Sequence, residues 1–444
     1  MTYIIFVMSL VPILAAGHLS ASTQAALGMI VQCNLFLTVL SMGLAAGATS
    51  VISQAMGAGE ADHAKKYIAT TLALSALLGL GMSAIGLAFR EEILHLVRLP
   101  ASTLNEADTL FGIFMLGLPF VYVYSASGVI FRATRQVILP LVVMAVVACV
   151  QAVVCFGTSF GMFGLPDLGF KGIAMANVAA NALGAFINCI LLASKGYLGR
   201  ASLPSLSWLK ERLPYLAGVT VPACLSNAVW HSGYIVLFVL TASVPCDNVF
   251  ALAGLTAGLR IEGFLFMPAM AFSMSASIMV GNCLGAGDQD NARRTASSLL
   301  YSAVVLMSII ACIIWPFRED LAHILSTNPD TCAYIVTYLD YNLLATPFSI
   351  GSTVLGGVMT GAGATKISFM VFGCTIWLVR LPLGYLLGHI ALQNASGIYL
   401  AMVCSQVVQA LIMFIIFKRD RWMQYAMYAD RDKGSSGTGS RSAA

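Results

Sequence analysis

The chain alternates long apolar runs with short polar breaks. Each run has the length, about 20 residues, that a helix needs to cross the hydrocarbon of a bilayer. In the first half the run cores fall at 1–17, 26–50, 67–89, 109–131, 138–163 and 170–194. In the second they fall at 214–242, 249–281, 296–316, 333–360, 367–390 and 396–417. This pattern predicts an all-α polytopic membrane protein of about twelve transmembrane helices, six to a lobe. The N-terminal lobe covers 1–194 and the C-terminal lobe 214–417, joined by a polar cytoplasmic linker at 195–213. The tail, 418–444, turns charged and then rich in Gly and Ser, which reads as disordered.

Composition agrees with a bilayer. Of 444 residues 59% are hydrophobic and 9% charged, with a mean hydropathy of +0.87. No soluble core absorbs so much apolar surface. The 23 Lys and Arg divide seventeen to four between the two sides, with two inside the membrane, in favour of the side carrying the loops at 57–59 and 285–287. Retention of basic residues makes that side cytoplasmic. The protein is then multi-pass in the cytoplasmic (inner) membrane, with both ends cytoplasmic once the first helix is complete. The net charge of +4 reflects this topology and implies no nucleic-acid partner.

Two segments repeat. SQAMGAGEADHAKK at Ser53 to Lys66 returns as GNCLGAGDQDNARR at Gly281 to Arg294, 228 positions on. The same offset sets Pro119 and Phe120 on Pro347 and Phe348, and Gly128 on Gly356. A shared offset without a gap indicates duplication. With six helices per half, the second half starts from the same side as the first, so the two bundles are related by a pseudo-two-fold along the membrane normal. Such a pair encloses a central cleft and opens it alternately to each side, as secondary transporters do. In the loops, Gly57, Gly59, Gly285 and Gly287 permit tight reversals and act as hinges. The acidic residues next in the chain suit the positive end of the coming helix, and the basic pair suits lipid head groups.

The helix at the start is short, with Gly17 and His18 closing about 16 apolar residues. Subtracting the offset from Pro214 and Pro222 places their counterparts before residue 1. The first helix is therefore expected to be truncated, its true start lying in a longer gene product, with the loss of a helical turn or more from this half as the alternative.

The doubled GAG[ED]xxxA[KR][KR] loop, GLRIEGFLFMPAMAFSMSASIMVGNCLGAGD, GFKGIAMAN, GGVMTGAGATK and WLVRLPLGYLL resemble the multidrug and toxic compound extrusion (MATE) transporters. The resemblance runs from about Ala16 to Phe417. It implies export of cationic or amphipathic drugs by antiport against H+ or Na+, with no other cofactor. It also implies a first-helix Asp and a fifth-helix Asn/Asp pair as the cation site of the N-terminal lobe. Here Pro12, Gln151 and Cys155 stand at those positions, so coupling at that site is in doubt.

Ionisable groups inside a membrane are costly and mark function by default. Those present are His231, Arg260, Glu262, Asp340 and Arg380, all in the second half. Glu262, His231 and Asp340 are the candidates for coupling. A carboxylate shielded from water exchanges a proton or holds a monovalent cation near neutral pH, and imidazole titrates there unaided. The alternative for Glu262 is an ion pair with Arg380 or Arg260 that pins helices together. Asp340 has a solvated helix end as its alternative. Candidates for the substrate cleft are Gln32, Asn34, Tyr122, Gln151, Asn177, Asn181, Tyr234, Arg260, Met267 and Arg380. They supply interhelical hydrogen bonds, or the aromatic and thioether walls of adaptable sites.

Two other functions stay open: a flippase for lipid-linked saccharides, disfavoured by the sparse basic lining, and a transport-dead scaffold. No nucleophile, base and metal combination emerges, so an enzyme is not expected. The 11 Cys show no metal spacing. The expected partners are small organic molecules and the bilayer, with the protein a monomer.

Overall fold

The computed structural model describes residues 2–96, 101–199, 202–246 and 248–428. Sixteen α-helices succeed one another. They are α1 Thr2–Leu19, α2 Ala21–Gly57, α3 Ala61–Ala88, α4 Arg90–Leu96, α5 Ala101–Ala133, α6 Ile138–Phe160, α7 Phe170–Ser194 and α8 Leu206–Ala242. Then come α9 Asn248–Leu265, α10 Met267–Gly285, α11 Gln289–Ile314, α12 Arg318–Leu325, α13 Pro329–Gly361, α14 Thr365–Cys374, α15 Leu381–Tyr385 and α16 Ala395–Lys418. No strand occurs among the described residues. Among the described residues, eleven helical stretches are long and apolar enough to cross a membrane, and a shorter apolar helix, Tyr3–Leu19, precedes them. The all-helical polytopic architecture is therefore as the apolar runs require.

Contacts divide the chain into two compact units, 1–56 with 60–220 and 57–59 with 221–444. The boundary falls inside α8, not in the polar stretch 195–213 expected to link the lobes. The reason is Trp208, which is buried and meets Tyr67 of α3 edge-on at 4.8 Å. The start of α8 is thereby held to the N-terminal unit.

Each unit is built around one long helix, and the two are related by the repeat. In the N-terminal unit α5 packs against α3 and α7; in the C-terminal unit α13 packs against α9, α10, α11 and α16. Pro119 lies within α5 and Pro347 within α13. A proline removes one backbone donor and bends its helix, which a membrane bundle tolerates where neighbours pack closely. At Pro119 of α5 the approach is tight, since a Cβ on Gly79 would come 2.7 Å from the Cα of Pro119. In the C-terminal unit, Cβ atoms on Gly357 and Gly361 would come 2.1 Å and 2.2 Å from the carbonyl oxygens of Ser273 and Ser277. Small residues one turn apart on α10 and α13 thus let two backbones touch, which is how helices associate when water supplies no driving force.

The repeat extends to backbone detail. Gly59 and Gly287, the last glycines of the two GAG loops, both have positive φ, 73° and 79°. Behind them the N–H of Glu60 bonds Ala55 O and that of Asp288 bonds Cys283 O, each at 3.0 Å. Gly57 and Gly285 are the last residues of α2 and α10.

Three sequence expectations need correction. The run 249–281 is two helices, broken at Phe266, because Pro268 near the start of α10 has no N–H to continue α9. The run 367–390 is not uniformly α: Thr375–Arg380 and Leu386–Ala391 wind as π-helix around α15. The tail does not turn disordered at 418. Arg421–Tyr425 forms a 3-10 turn in which Trp422 is fully buried and stacks on Phe417 at 5.8 Å. Arg293 holds it through Asp420 at 2.9 Å. Residues 429–444 lie outside the described ones.

Candidate functional site

The N-terminal unit encloses a cavity of about 560 Å³ lined by α1, α2, α5, α6 and α7. Its walls are largely apolar, with Leu27, Phe114, Leu118, Val121 and Met144 among them. Of the expected cleft residues, Gln151, Asn177 and Asn181 line it, as does Pro12. Gln151 donates through Nε2 to Met8 O at 3.3 Å, and its Oε1 is buried with no partner. Asn181 turns its amide back on its own helix, donating to Asn177 O at 2.8 Å. Cys155 is buried in the core nearby and does not line the cavity.

Asn188, which lines the cavity from α7, and Arg132, which lines it from α5, were not anticipated; Tyr124 lines it from α5 as well. The hydroxyl of Ser127 donates to Tyr124 O at 2.8 Å, so it accepts from Asn188 Nδ2 at 2.9 Å. That fixes the amide's orientation and leaves Asn188 Oδ1 buried without a partner. Arg132 counts as a loop charge in the sequence. It is instead the penultimate residue of α5, and its Nη1 would lie 3.6 Å from a Cβ on Gly128. The side chain therefore folds back over Gly128 into the cavity.

Tyr122, expected in the cleft, is fully buried and donates its hydroxyl to Leu37 O. It serves as a tie between α5 and α2. The side chains of Gln32 and Asn34, on α2, lie outside the described ones.

The C-terminal unit gathers its polar groups differently. Glu262 on α9 accepts a hydrogen bond from the hydroxyl of Tyr338 on α13. Asn342, one turn further along α13, donates to the same hydroxyl at 3.5 Å. A void of about 20 Å³, room for one water-sized guest, is lined by Glu262, Asn342, Thr346 and Ser349 together with the apolar Leu265, Phe266, Met307 and Ile350. Tyr338 meets Tyr399 edge-on at 5.2 Å. Arg380 is fully buried: its Nε donates to Ser405 Oγ at 2.8 Å, and its guanidinium lies 5.8 Å over Trp230 and 5.7 Å over Tyr234. Cation–π contact with two rings makes such burial tolerable.

The ion pair expected as the alternative for Glu262 does not form. Among the described residues, Arg380 goes to Ser405 and the aromatic rings, and Arg260 is exposed on α9. His231 is half-buried on α8, and Met267 is half-buried at the start of α10. Asp340 is not a lone membrane carboxylate, because Arg318 Nε lies 2.9 Å from its Oδ1. Tyr338 was missed by sequence reasoning, although its position one turn before Asn342 put a second polar side chain on the same helix face. Among the described residues no group of His, Cys, Asp and Glu could hold a metal ion.

Comparison with known proteins settles the family. The MatE family model matches residues 1–157 and 222–386. The chain is 22% identical over 409 residues to the probable multidrug resistance protein YoeA of Bacillus subtilis, covering 91% of this chain and 88% of that one. It is 22% identical over 407 residues to an FAD transporter of Shewanella oneidensis, covering 91% and 88%. Among solved structures, the Vibrio cholerae MATE transporter VcmN in its bent form superposes with a TM-score of 0.87 at 19% identity, covering 96% of this chain and 94% of that one. The chain belongs to the MATE family of multi-pass membrane transporters.

Proposed function

We propose that this protein is a secondary active exporter that moves amphipathic small organic molecules by alternating access, in exchange for a cation loaded at Glu262 of the C-terminal unit. The observation that carries the reading is the contact of Glu262 with Tyr338 in place of an arginine. The carboxylate's hydrogen-bond partner is a neutral hydroxyl and Arg380 opposes its charge only from beyond ion-pair distance, so a proton or a monovalent cation offsets it at least cost. The adjoining void beside Asn342 and Thr346 gives the cation oxygen neighbours. When the site loads, the acceptor that holds Tyr338 changes, and with it the tie between α9 and α13. That is a local charge event acting on a packed helix pair, the kind of event that drives a switch between two arrangements.

The N-terminal unit supplies the cargo cavity. It has the volume and apolar lining of a small-molecule site, and Pro12 and Gln151 stand in it where acidic and amide coupling residues were expected. Cargo binding and cation loading are thus assigned to different units. A relative named an FAD transporter supports a cargo range wider than drugs. The loop charges support a cytoplasmic location for the GAG loops and insertion in the inner membrane.

The test is dye efflux from cells deleted for their own pumps, using a panel of anionic and cationic amphipathic dyes, with the proton or sodium gradient intact or collapsed. Expression is expected to speed efflux of at least one dye in a gradient-dependent manner, and Glu262→Gln to remove that dependence. Absence of efflux across the panel from a protein that reaches the membrane would return the flippase or the scaffold as the better reading.

A further inference from the structure

We propose that Arg380 is a positioning residue of the C-terminal unit: its fixed charge favours the ionised form of Glu262 and so makes the site give up its cation once per cycle. The charge effect stands by itself; its place in the cycle rests on the coupling reading above.

Arg380 is 1% exposed, and among the described residues no carboxylate lies within ion-pair distance of it. A charge so placed needs a framework that holds it. Its Nε donates to Ser405 Oγ at 2.8 Å, and the Ser405 hydroxyl donates in turn to Met402 O at 2.8 Å. The rings of Trp230 and Tyr234, 5.3 Å apart, cover the guanidinium from α8. Arg380 also ends the π-helical stretch Thr375–Arg380. A π turn holds one residue more than an α turn, which displaces the side chains that follow around the axis, and such turns recur at functional sites.

The same core holds Glu262. Tyr234 packs against the cluster that contains Tyr338, Leu381 and Tyr399, and it feels the charges of both Arg380 and Glu262. Asn342 lines the void at Glu262 and a second one, of about 10 Å³, that reaches Tyr399 and Met402 on α16. Arg380 therefore acts on Glu262 by charge alone, from beyond ion-pair distance. The groups in contact with the carboxylate, Tyr338 and Asn342 of α13, are neutral. Tyr234 of α8 and Tyr399 of α16 keep their protons at physiological pH, His231 of α8 is half-buried, and Arg260, on the same helix as Glu262, is exposed.

This distance suits a carrier. A site that turns over must bind firmly enough to load and weakly enough to release. A neighbouring cation stabilises an ionised carboxylate. In direct contact it would hold Glu262 empty; with no cation nearby, a proton on a carboxyl in an apolar core would be slow to leave. A guanidinium anchored to Ser405 and two rings supplies the intermediate case, and it keeps its own proton throughout.

Dicyclohexylcarbodiimide, which modifies a carboxyl group in an apolar site only when that group is protonated, reads the effect without transport. The purified full chain is treated across a range of pH, and label on Glu262 is measured by mass spectrometry, with Glu262→Gln as the blank. In Arg380→Gln the pH of half-labelling should rise by about one unit, a tenfold gain in proton affinity. Arg380→Lys, which keeps the charge, should move it less. Arg380→Met, apolar and of similar reach, repeats the test should Arg380→Gln fail to fold. In proteoliposomes the pH profile of uphill dye accumulation should move with the labelling. Half-labelling at the same pH in wild type and the neutral variants, or Glu262 unlabelled at every pH, would overturn the proposal and leave the coupling reading standing. A shift in labelling with an unchanged transport profile would uphold the action of Arg380 on Glu262 and count against coupling at that residue.

Discussion

Arg318 Nε stands 2.9 Å from Asp340 Oδ1, while its repeat equivalent, Arg90, pairs with Asp108 one helical turn out of register. The residue that corresponds to Asp340 is Gly112, and a Cβ there would come 3.1 Å from Arg90 Nη1. Duplication therefore preserved a cation as the first residue of the short helices α4 and α12 and let its acidic partner move along α5 or α13. Both members of the Arg318–Asp340 pair are partly exposed, 27% and 38%, so solvent screens it.

For that pair we expect a structural contribution alone. Asp340→Asn should lower stability by less than about 1 kcal/mol and leave the gradient dependence of transport unchanged. Thermal unfolding and transport assays of the purified variant check both. Loss of gradient dependence in Asp340→Asn would move the coupling site from Glu262 to the outer end of α13.

The loop after each central helix contains one residue in the left-handed region. In the second half it is Gly363, φ 77°, and in the first it is Arg135, φ 62°. The bond behind it is the same in both: Ala364 N to Met359 O and Gln136 N to Phe131 O, each at 2.8 Å. A side chain in this region costs about 1 kcal/mol or more, which glycine avoids. Gly363→Ala should therefore destabilise by about 1 kcal/mol. Arg135→Gly should be neutral or stabilising, because relief of strain opposes the extra freedom of glycine in the unfolded chain. Melting temperatures of the two variants should move apart, and an equal fall in both would contradict the shared geometry.

Asp288 caps α11, accepting from the backbone N–H of Asn291 at 2.9 Å. That bond, with a second from the Asn291 side chain, holds its carboxyl below the ordinary carboxylate range. A depressed folded-state value means that ionised Asp288 favours the folded form. The contribution is complete above the unfolded pKa of about 4 and is lost as pH falls through the lower folded value. The melting temperature of wild type should exceed that of Asp288→Ala by a constant margin near neutral pH, and the margin should shrink below about pH 4. A margin that persists undiminished at low pH would show that the side chain acts otherwise than as an ionised cap.

How far the sequence reached depends on the range of the signal. Apolar runs and the repeated GAG loops are local patterns, and they led to the helices, to two related units and to the family. Glu262 was legible because a membrane carboxylate is rare and costly. Its partner was not, since Tyr338 lies 76 residues away and hydroxyls on apolar helices are common. Arg132 was misplaced by a boundary error of a few residues: with the helix ending near 131 it read as a loop charge, and with α5 ending at Ala133 it turns inward. FREE at 89–92 and FRED at 317–320 obey the same 228-residue offset. They would have shown that Arg318 is part of the shared scaffold and weakened Asp340 as a coupling residue. Trp422 gave a signal too, as an indole in a segment otherwise read as disordered.

The most direct test of the account separates coupling from translocation. In proteoliposomes with an imposed proton or sodium gradient, wild type should accumulate a transported dye uphill, and it should also exchange labelled for unlabelled dye when no gradient is present. Glu262→Gln is predicted to lose uphill accumulation and to keep exchange within a few-fold of wild type, because the cargo cavity belongs to the other unit. Uphill accumulation by Glu262→Gln equal to that of wild type would contradict the assignment of coupling to Glu262.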